Sequence, residues 1–437
     1  MKKILKAVFS TLILFVLAAG ATQAQDSKTL EKTFTWNYDL GSEGTLNLKN
    51  YDCDLIIHTW NRNEAELRLT VKAELRSAEE KKEMENFLNK LKFNNSPALV
   101  SFNTRFWENR KNIAGRKTIK LDRGKTLRYK EFRVKAEVWL PATADLDLNS
   151  RYSGINLEET SGNVTLNLYS DKLSARDING KLDITAKYSD IELGNCKELT
   201  ADLYDSDIFT GSTLDARYVT KYSGITSKIV QNLDIDSYND KFKFESCGDI
   251  SMISKYSYLT STSAGKVKID SYEGGFELGE CENLEVKSKY TDFLSAGIED
   301  MIIESAYSSK FNIAAARSVT VRESKYTSYK LDLLKESFVL DIGYEDKVIL
   351  DKLHPEFKTI DLNGKYIKCE AGIAKDISYR FKANIKYPHL NLEKADLTTR
   401  IKIKESSDLE FEAFRGEESE SLPLIKLSGY EITFTIL

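Results

Sequence analysis

A tyrosine recurs at a nearly constant interval between Arg151 and about Lys368, and this repeat constrains the fold more than any other feature of the chain. Small polar residues follow each tyrosine, as in YSGI, YSDI and YNDK. The tyrosines stand at positions 152, 169, 188, 204, 222, 238, 256, 272, 290, 307, 326 and 344, with a less regular copy at Tyr366. Intervals of 16 to 19 residues, and 22 to the last copy, are typical of a repeat protein.

Each repeat predicts two short strands joined at the tyrosine. The segment LDITA before Tyr188 alternates apolar and polar residues, and the alternation resumes with IEL after it. The polar residues suit a corner where side chains bond to the backbone or where φ is positive. No proline occurs between Pro141 and Pro355, as expected where strand N–H groups donate to neighbouring strands. We predict a mainly β chain: a parallel, single-stranded β-solenoid, expected to be right-handed, with about 12 coils of 17–18 residues.

Stacked coils would align equivalent residues in columns about 4.8 Å apart, so that the tyrosines form a ladder of rings. A lysine precedes every other tyrosine, which indicates that the duplicated unit was a pair of coils. If the rings face outward, these pairs would offer a surface for a glycan or a partner protein; if they face inward or lie along the corner, they serve packing. The candidate pairs are Lys187 with Tyr188, Lys221 with Tyr222, Lys255 with Tyr256, Lys289 with Tyr290, and Lys325 with Tyr326.

The chain divides into four predicted segments. Residues 1–24 combine early lysines, an apolar run and a small-residue cleavage site, which predicts a signal peptide. Residues 25–142 contain all four tryptophans and predict a small α+β capping domain, with a helix beginning after Ser77. Residues 143–370 are the solenoid, and residues 371–437 predict a β cap. We therefore expect an exported chain with no transmembrane segment after the signal peptide, located in the periplasm, at the outer-membrane surface or secreted.

A basic segment runs from Arg105 to Lys135, with twelve Lys and Arg against three acidic residues, in a chain of net charge -4. It predicts either a site for an anionic surface polymer or an envelope protein, or a solvated strand face and loop. The acidic net charge argues against a nucleic-acid partner. The candidate binding residues are Arg110, Lys111, Arg116, Lys117, Lys120, Arg123 and Lys125.

The sequence predicts no cofactor, metal site or catalytic residue. Cys196, Cys247 and Cys281 fall in equivalent turns, three and two coils apart, too far for a disulfide, and we expect them to fill a small buried position. Three histidines without a CxxC motif argue against zinc, and phosphate-loop, nucleophile-elbow and HExxH motifs are absent. The acids near the corners could form a calcium or acid/base row, or only solvated turns: Asp171, Asp190, Asp240, Asp292 and Asp346.

Three segments resemble the adhesin family of bacterial β-solenoid proteins, related to the auto-transporter adhesin head domain called GIN. They are GTLNLKNYDCDLIIHTW from Gly44, VWLP from Val138, and LDLNSRYSGINLEETSGNVTLNL from Leu146. The resemblance covers residues 30 to 370 and implies a solenoid fold, an envelope location and adhesion, with no catalytic residues to transfer.

The function that we favour from sequence is a non-enzymatic exported β-solenoid that acts as an adhesin-like or scaffolding surface. One alternative is a carbohydrate-active enzyme, which would need a cleft built by long loops and clustered acids. Coil lengths vary too little before Tyr366 to build such a wall. The other alternative is an envelope partner-binding or sensing protein that uses the basic segment.

Overall fold

The computed structural model describes residues 28–437, so the predicted signal peptide lies outside the described residues. The chain forms two compact units. The smaller unit contains residues 28–32, Val71–Leu91 and Trp107–Arg133. The larger unit contains Thr33–Thr70, Lys92–Phe106 and Val134–Leu437.

The described residues form 32 strands and one helix. In chain order these are β1 (Thr29–Asp39), β2 (Thr45–Tyr51), β3 (Asp54–Trp60), β4 (Glu64–Leu75), α1 (Ala78–Asn89), β5 (Asn95–Ser96), β6 (Leu99–Asn103), β7 (Trp107–Ile113), β8 (Arg116–Leu121), β9 (Thr126–Pro141), β10 (Asp145–Arg151), β11 (Gly154–Leu157), β12 (Val164–Tyr169), β13 (Lys172–Ala175), β14 (Ile178–Lys187), β15 (Asp190–Leu193), β16 (Cys196–Tyr204), β17 (Asp207–Lys221), β18 (Gly224–Tyr238), β19 (Lys241–Lys255), β20 (Tyr258–Tyr307), β21 (Lys310–Val321), β22 (Ser324–Lys325), β23 (Ser328–Tyr344), β24 (Lys347–Leu350), β25 (Thr359–Lys365), β26 (Lys368–Ala371), β27 (Tyr379–Lys386), β28 (His389–Asn391), β29 (Thr398–Glu405), β30 (Asp408–Arg415), β31 (Leu424–Tyr430) and β32 (Thr433–Ile436).

The larger unit is a parallel β-solenoid, as the sequence predicted. Strands before the corner pair with one another, as β12 does with β10 and β14. Strands after the corner form a second ladder, as β13 does with β11 and β15. Each coil therefore contributes one strand to each ladder, and the tyrosine corner joins the two.

Alternating apolar residues fill the thin core between the two ladders. Leu182, Ile184 and Ala186 are all buried, while the polar residues between them face outward. Aromatic side chains also stack in the core: the rings of Phe276, Phe293, Phe311 and Tyr329 lie 4.8–5.4 Å apart, with interplanar angles of 6–15°. Identical positions on successive coils thus produce columns of like side chains.

The parallel ladders extend ahead of the tyrosine repeat. β2 pairs in parallel with β10, and β3 pairs in parallel with β11. The segment GTLNLKNYDCDLIIHTW therefore folds as a coil around Tyr51. β2 also pairs with β6, and β3 with β9. The division of the chain near residues 142 and 370 stays a prediction from composition.

The coil formed by β31 and β32 is inserted out of chain order. β31 pairs in parallel with β25 on one side and β27 on the other, and β32 lies in the same way between β26 and β28. Beyond β27 the pairing becomes antiparallel, first with β30 and then with β29. The exposed strand β29 carries Arg400, Lys402 and Lys404, and charged side chains of this kind discourage further strand pairing.

The smaller unit contains α1 and an antiparallel sheet formed by β7, β8 and the beginning of β9. The Ser77 hydroxyl accepts the N–H of Glu80 at 3.2 Å, which confirms the predicted N-cap. Met84 and Leu88 are buried on the apolar face of the helix. No helix among residues 28–437 is long and apolar enough to cross a membrane.

Candidate functional site

The corner tyrosines form one continuous row, which we call the tyrosine stripe. Adjacent rings meet edge to face, with centroids 5.3–5.8 Å apart and interplanar angles of 73–89°. At about 4.8 Å per coil, the fifteen steps extend over about 70 Å. In stacking order the sixteen members are Tyr51, Tyr152, Tyr169, Tyr188, Tyr204, Tyr222, Tyr238, Tyr256, Tyr272, Tyr290, Tyr307, Tyr326, Tyr344, Tyr366, Tyr430 and Tyr387.

Two corner conformations alternate along the stripe. In one set the tyrosine itself has a positive φ of 55–61°: residues 152, 188, 222, 256, 290, 326, 366 and 387. In the other set the next residue has φ of 48–59°: residues 52, 170, 205, 239, 273, 308, 345 and 431. The polar residue after the tyrosine thus has the positive φ that suits such a residue in half of the corners, and the tyrosine itself has it in the other half. The shift by one residue turns alternate rings, and this produces the edge-to-face contacts.

We call the tyrosines that have a positive φ the shifted tyrosines. In their coils, a cation occupies the strand position that the tyrosine occupies in the neighbouring coils. Lys221 is aligned with Tyr204 on one side and Tyr238 on the other. Its Nζ lies 5.2 Å from the ring centroid of Tyr222 and 4.9 Å from that of Tyr238. Lys325 repeats the arrangement, at 4.9 and 4.8 Å from its two rings. The eight stripe cations, each one residue before a shifted tyrosine, are Arg151, Lys187, Lys221, Lys255, Lys289, Lys325, Lys365 and Lys386.

The stripe cations carry no ion pairs. Within residues 28–437, no nitrogen of these eight side chains lies within 4 Å of a carboxylate oxygen. Lysines elsewhere on the same ladder are paired, for example Lys181 with Asp183 at 3.0 Å and Lys268 with Glu285 at 2.7 Å. Ring faces therefore hold six of the stripe cations, Arg151, Lys221, Lys255, Lys289, Lys325 and Lys386, and their charges remain available to an external anion.

The rings face solvent while they pack on one another. Tyr152 and Tyr188 are 50% and 47% exposed, and the other shifted tyrosines are similar or somewhat less exposed. Desolvation, with the neighbouring phenols, raises the pKa of Tyr188, Tyr256 and Tyr290 above that of free tyrosine. The structure thus combines the two interpretations left open by the sequence: the stripe lies along the corner, and it is also a solvent-facing surface.

A buried polar column lies directly under the stripe. The N–H of Ser153 donates to Asp171 Oδ1 at 2.7 Å, and the N–H of Asp171 donates to Ser189 Oγ at 3.2 Å. Burial raises the pKa of Asp171 and of Asp346 to about 6. The predicted solvated edge is therefore wrong for Asp171, Asp240 and Asp346, whose side chains turn inward to bind backbone N–H groups.

The cysteines behave as the sequence predicted. Cys196 and Cys247 are buried in one aligned column, which also contains Thr213 and Val230, and both are free thiols. Burial raises the pKa of Cys196, Cys247 and Cys281 to about 12. Buried thiols of this kind act as small packing groups.

A shallow groove of about 800 Å³ runs across the strands that precede the corner. Its lining includes Glu198, Asp215, Asp234, Asp249 and Glu285, so it contains the acids that an enzyme would need. Three of these acids are engaged along the stack, however. Asp234 pairs with an arginine at 2.7 Å, Glu285 with a lysine at 2.7 Å, and Asp215 accepts an asparagine N–H at 2.7 Å. Within residues 28–437, no three His, Cys, Asp or Glu side chains could hold a metal ion.

The predicted basic residues all lie in the smaller unit, on and around the β7–β8 hairpin. Several are engaged there: Lys120 pairs with Glu108, Lys125 pairs with Glu83 at 3.1 Å, and Arg110 lies over the ring of Trp107. The backbone N–H of Arg123 donates to Glu108, and Lys117 donates to a backbone carbonyl. Lys111 and Arg116 are exposed near the hairpin tip. Local acids thus neutralise part of the segment, and its role in binding stays a prediction.

Sequence reasoning missed part of the stripe. It named one tyrosine and one cation in every second coil, whereas the tyrosines of the intervening coils contribute the other half of the rings. It also missed Tyr51, Tyr387 and Tyr430. A signal was present: Arg151, Lys365 and Lys386 each stand directly before a tyrosine, as the five named lysines do.

No protein-family model matches the chain, and no curated protein matches it. Among solved structures, it is similar to the crystal structure of a candidate cell adhesion protein from Clostridium sporogenes, with 9% identity over 93% of this chain and 98% of that chain. The TM-score is 0.18, which is too low to support an argument about fold or function. The β-solenoid is shown by the strand pairing itself, and the family resemblance stays a prediction.

Proposed function

We propose that this chain is an exported, non-enzymatic surface protein of the bacterial envelope, adhesin-like or scaffolding, which binds a surface polymer through the tyrosine stripe. The observation that carries the proposal is the row of sixteen stacked rings, eight of them exposed, with eight cations along it that form no ion pair within residues 28–437. Exposed aromatic rings beside cations are typical of binding surfaces. Export is supported by the signal-peptide pattern of residues 1–24.

The enzyme alternative has less support. Three of the groove acids, Asp215, Asp234 and Glu285, are bound to asparagine, arginine or lysine of neighbouring coils, and a general acid or base must be free to exchange a proton with substrate. The alternative that places binding on the basic segment also has less support, because Glu83 and Glu108 already engage part of that segment.

The proposal is tested by a binding screen with the purified chain against immobilised surface glycans and bacterial envelope fractions. We expect retention of at least one polymer, without any shortening of it. Replacing three exposed rings (Tyr188→Ser, Tyr222→Ser and Tyr290→Ser) should reduce this retention. The triple Tyr258→Ser, Phe209→Ser and Leu294→Ser, which removes exposed apolar side chains off the stripe, should not reduce it. Depolymerisation of the ligand, or equal loss in both variants, would refute the proposal.

A further inference from the structure

We propose that the tyrosine stripe binds a linear acidic polysaccharide that carries one negative charge per disaccharide. This inference rests on the proposed function and names the class of its ligand. Four features of the stripe carry it: the spacing of the cations, their lack of ion pairs, the exposed rings between them, and the acids that follow the corners.

The spacing sets the repeat of the ligand. Stripe cations occur in every second coil, so neighbouring charges are separated by about 9.6 Å along the stack. This is close to the advance of one disaccharide in an extended pyranose chain. A polymer with a carboxylate on alternate sugars can therefore place one anion at each cation while it lies along the stripe.

The unpaired cations supply the attraction. Lys221, Lys255, Lys289 and Lys325 lie 4.8–6.0 Å from the centroids of two rings each and bind no carboxylate among residues 28–437. An ammonium held over a ring keeps a defined position, so an anion that binds it orders few side-chain rotamers. Each contact is weak because the stripe is solvated, and the repetition of contacts along one polymer provides the affinity.

The rings and acids suit the remainder of a sugar. Exposed tyrosines alternate with the cations, and their faces and edges can pack against the C–H groups of a pyranose. Carboxylates follow the corner of several intervening coils, at Asp205, Glu273 and Glu345. They repel the anions of the polymer, which favours binding on the cation side, and they can accept hydrogen bonds from sugar hydroxyls. Three further acids stand two residues before intervening tyrosines and act in the same way: Asp202, Asp236 and Asp270.

An extended peptide fits the stripe less well. A β-strand repeats every 6.6–6.8 Å on one face, which is out of step with the cations. A polyproline II helix repeats at about 9.3 Å and would be in step. Such helices, however, dock in grooves between aromatic side chains. Adjacent rings of the stripe are in contact, with centroids at most 5.8 Å apart, and leave no groove between them.

The test is binding of the purified chain to hyaluronan, which carries a carboxylate on alternate sugars, with dextran as the neutral polymer and oligoproline as the peptide. We expect hyaluronan to bind, more tightly with increasing chain length and more weakly with added salt. The quadruple variant Lys221→Gln, Lys255→Gln, Lys289→Gln and Lys325→Gln should reduce affinity by roughly tenfold or more, since it removes four weak, solvated ion pairs with the polymer at once.

The matched control is the quadruple variant Lys181→Gln, Lys268→Gln, Lys310→Gln and Lys426→Gln. It changes the net charge equally but removes lysines that are already ion-paired away from the stripe. Equal losses of affinity in the two variants, or equal binding of dextran and hyaluronan, would overturn the inference and leave a stripe that binds polymers without recognising their charge. Preference for oligoproline would overturn it and leave a peptide-binding stripe. Failure to bind any envelope polymer would overturn the proposed function itself. Circular dichroism of both variants confirms that the solenoid remains folded.

Discussion

Replacing the buried Asp171 by serine should remove a defined part of the pH dependence of stability. The Asp171 carboxylate accepts the N–H of Ser153 at 2.7 Å and the N–H of Tyr169 at 3.0 Å inside a corner. In the next coil the equivalent residue is Ser189, which accepts one N–H and donates to the carbonyl of Lys187 at 3.0 Å. The substitution Asp171→Ser therefore installs a side chain that this corner geometry already uses, and it removes the ionisable group.

The raised pKa of Asp171 sets the sign and the size of this pH dependence of stability. Burial raises the pKa of Asp171 to about 6 in the folded chain, compared with about 3.9 for an aspartate in an unfolded chain. The folded chain thus binds the proton more tightly. The contribution of Asp171 to the free energy of unfolding is fully present below about pH 3.9 and is lost as the pH rises through about 6. A difference of about two pH units corresponds to about 3 kcal/mol.

Urea unfolding followed by circular dichroism, at several pH values between about 4 and 7, measures this effect as the difference between wild type and variant. We expect the advantage of the wild type to grow by up to about 3 kcal/mol as the pH falls across this range. Asp190→Ser, which replaces an exposed carboxylate in the next coil, is the control and should give a curve nearly parallel to the wild type. If the Asp171→Ser curve is also parallel, the carboxylate is not buried as described.

Two further predictions concern the stripe and the thiols. Tyr222→Ala should lower the free energy of unfolding by about 1–3 kcal/mol, because it removes edge contacts to Tyr204 and Tyr238 and one cation–ring contact. The control Tyr258→Ala, which removes an exposed tyrosine off the stripe, should lower it by less than about 0.5 kcal/mol. Similar losses for the two variants in urea unfolding would contradict the ring-ladder argument. Cys196, Cys247 and Cys281 should resist iodoacetamide in the native chain at pH 8 and react fully in urea, since burial holds their pKa at about 12. If mass spectrometry detects rapid labelling of the native chain, the cysteine column is open to solvent.

The tyrosine repeat predicted the solenoid because each coil must meet the same requirements: alternating apolar residues and a corner. The alternation of the corners was present in the intervals as well. Successive coils are aligned at 17 residues, as Lys187 with Tyr204 and Tyr204 with Lys221. A tyrosine displaced by one residue in every second coil therefore gives intervals of 18 and 16. The backbone conformation responsible could not be predicted, because a positive φ at tyrosine is unfavourable and is imposed by the stack.

The inward turn of Asp171 and the order of the last coils could not be predicted from the repeat. Asp171 and Asp190 occupy neighbouring positions of similar corners, and only the register of the corner decides which one is buried. Tyr430 lies between Tyr366 and Tyr387 in the stack, although it follows both in the chain. Interval counting assumes that spatial order equals chain order, so it cannot detect an inserted coil.

The inserted coil constrains the order in which this part of the chain can assemble. A solenoid that grows one turn at a time from its amino-terminal side stops at β26, because the segment that belongs next to it, β31 and β32, is synthesised more than fifty residues later. Of the strands made in between, β27 can pair with β30, but neither β27 nor β28 has its parallel neighbour in the stack until that segment arrives. Completion of this region is therefore a single concerted closure rather than further stepwise growth, and until then the open backbone edge at β25 and β26 is where misassembly with another chain would begin.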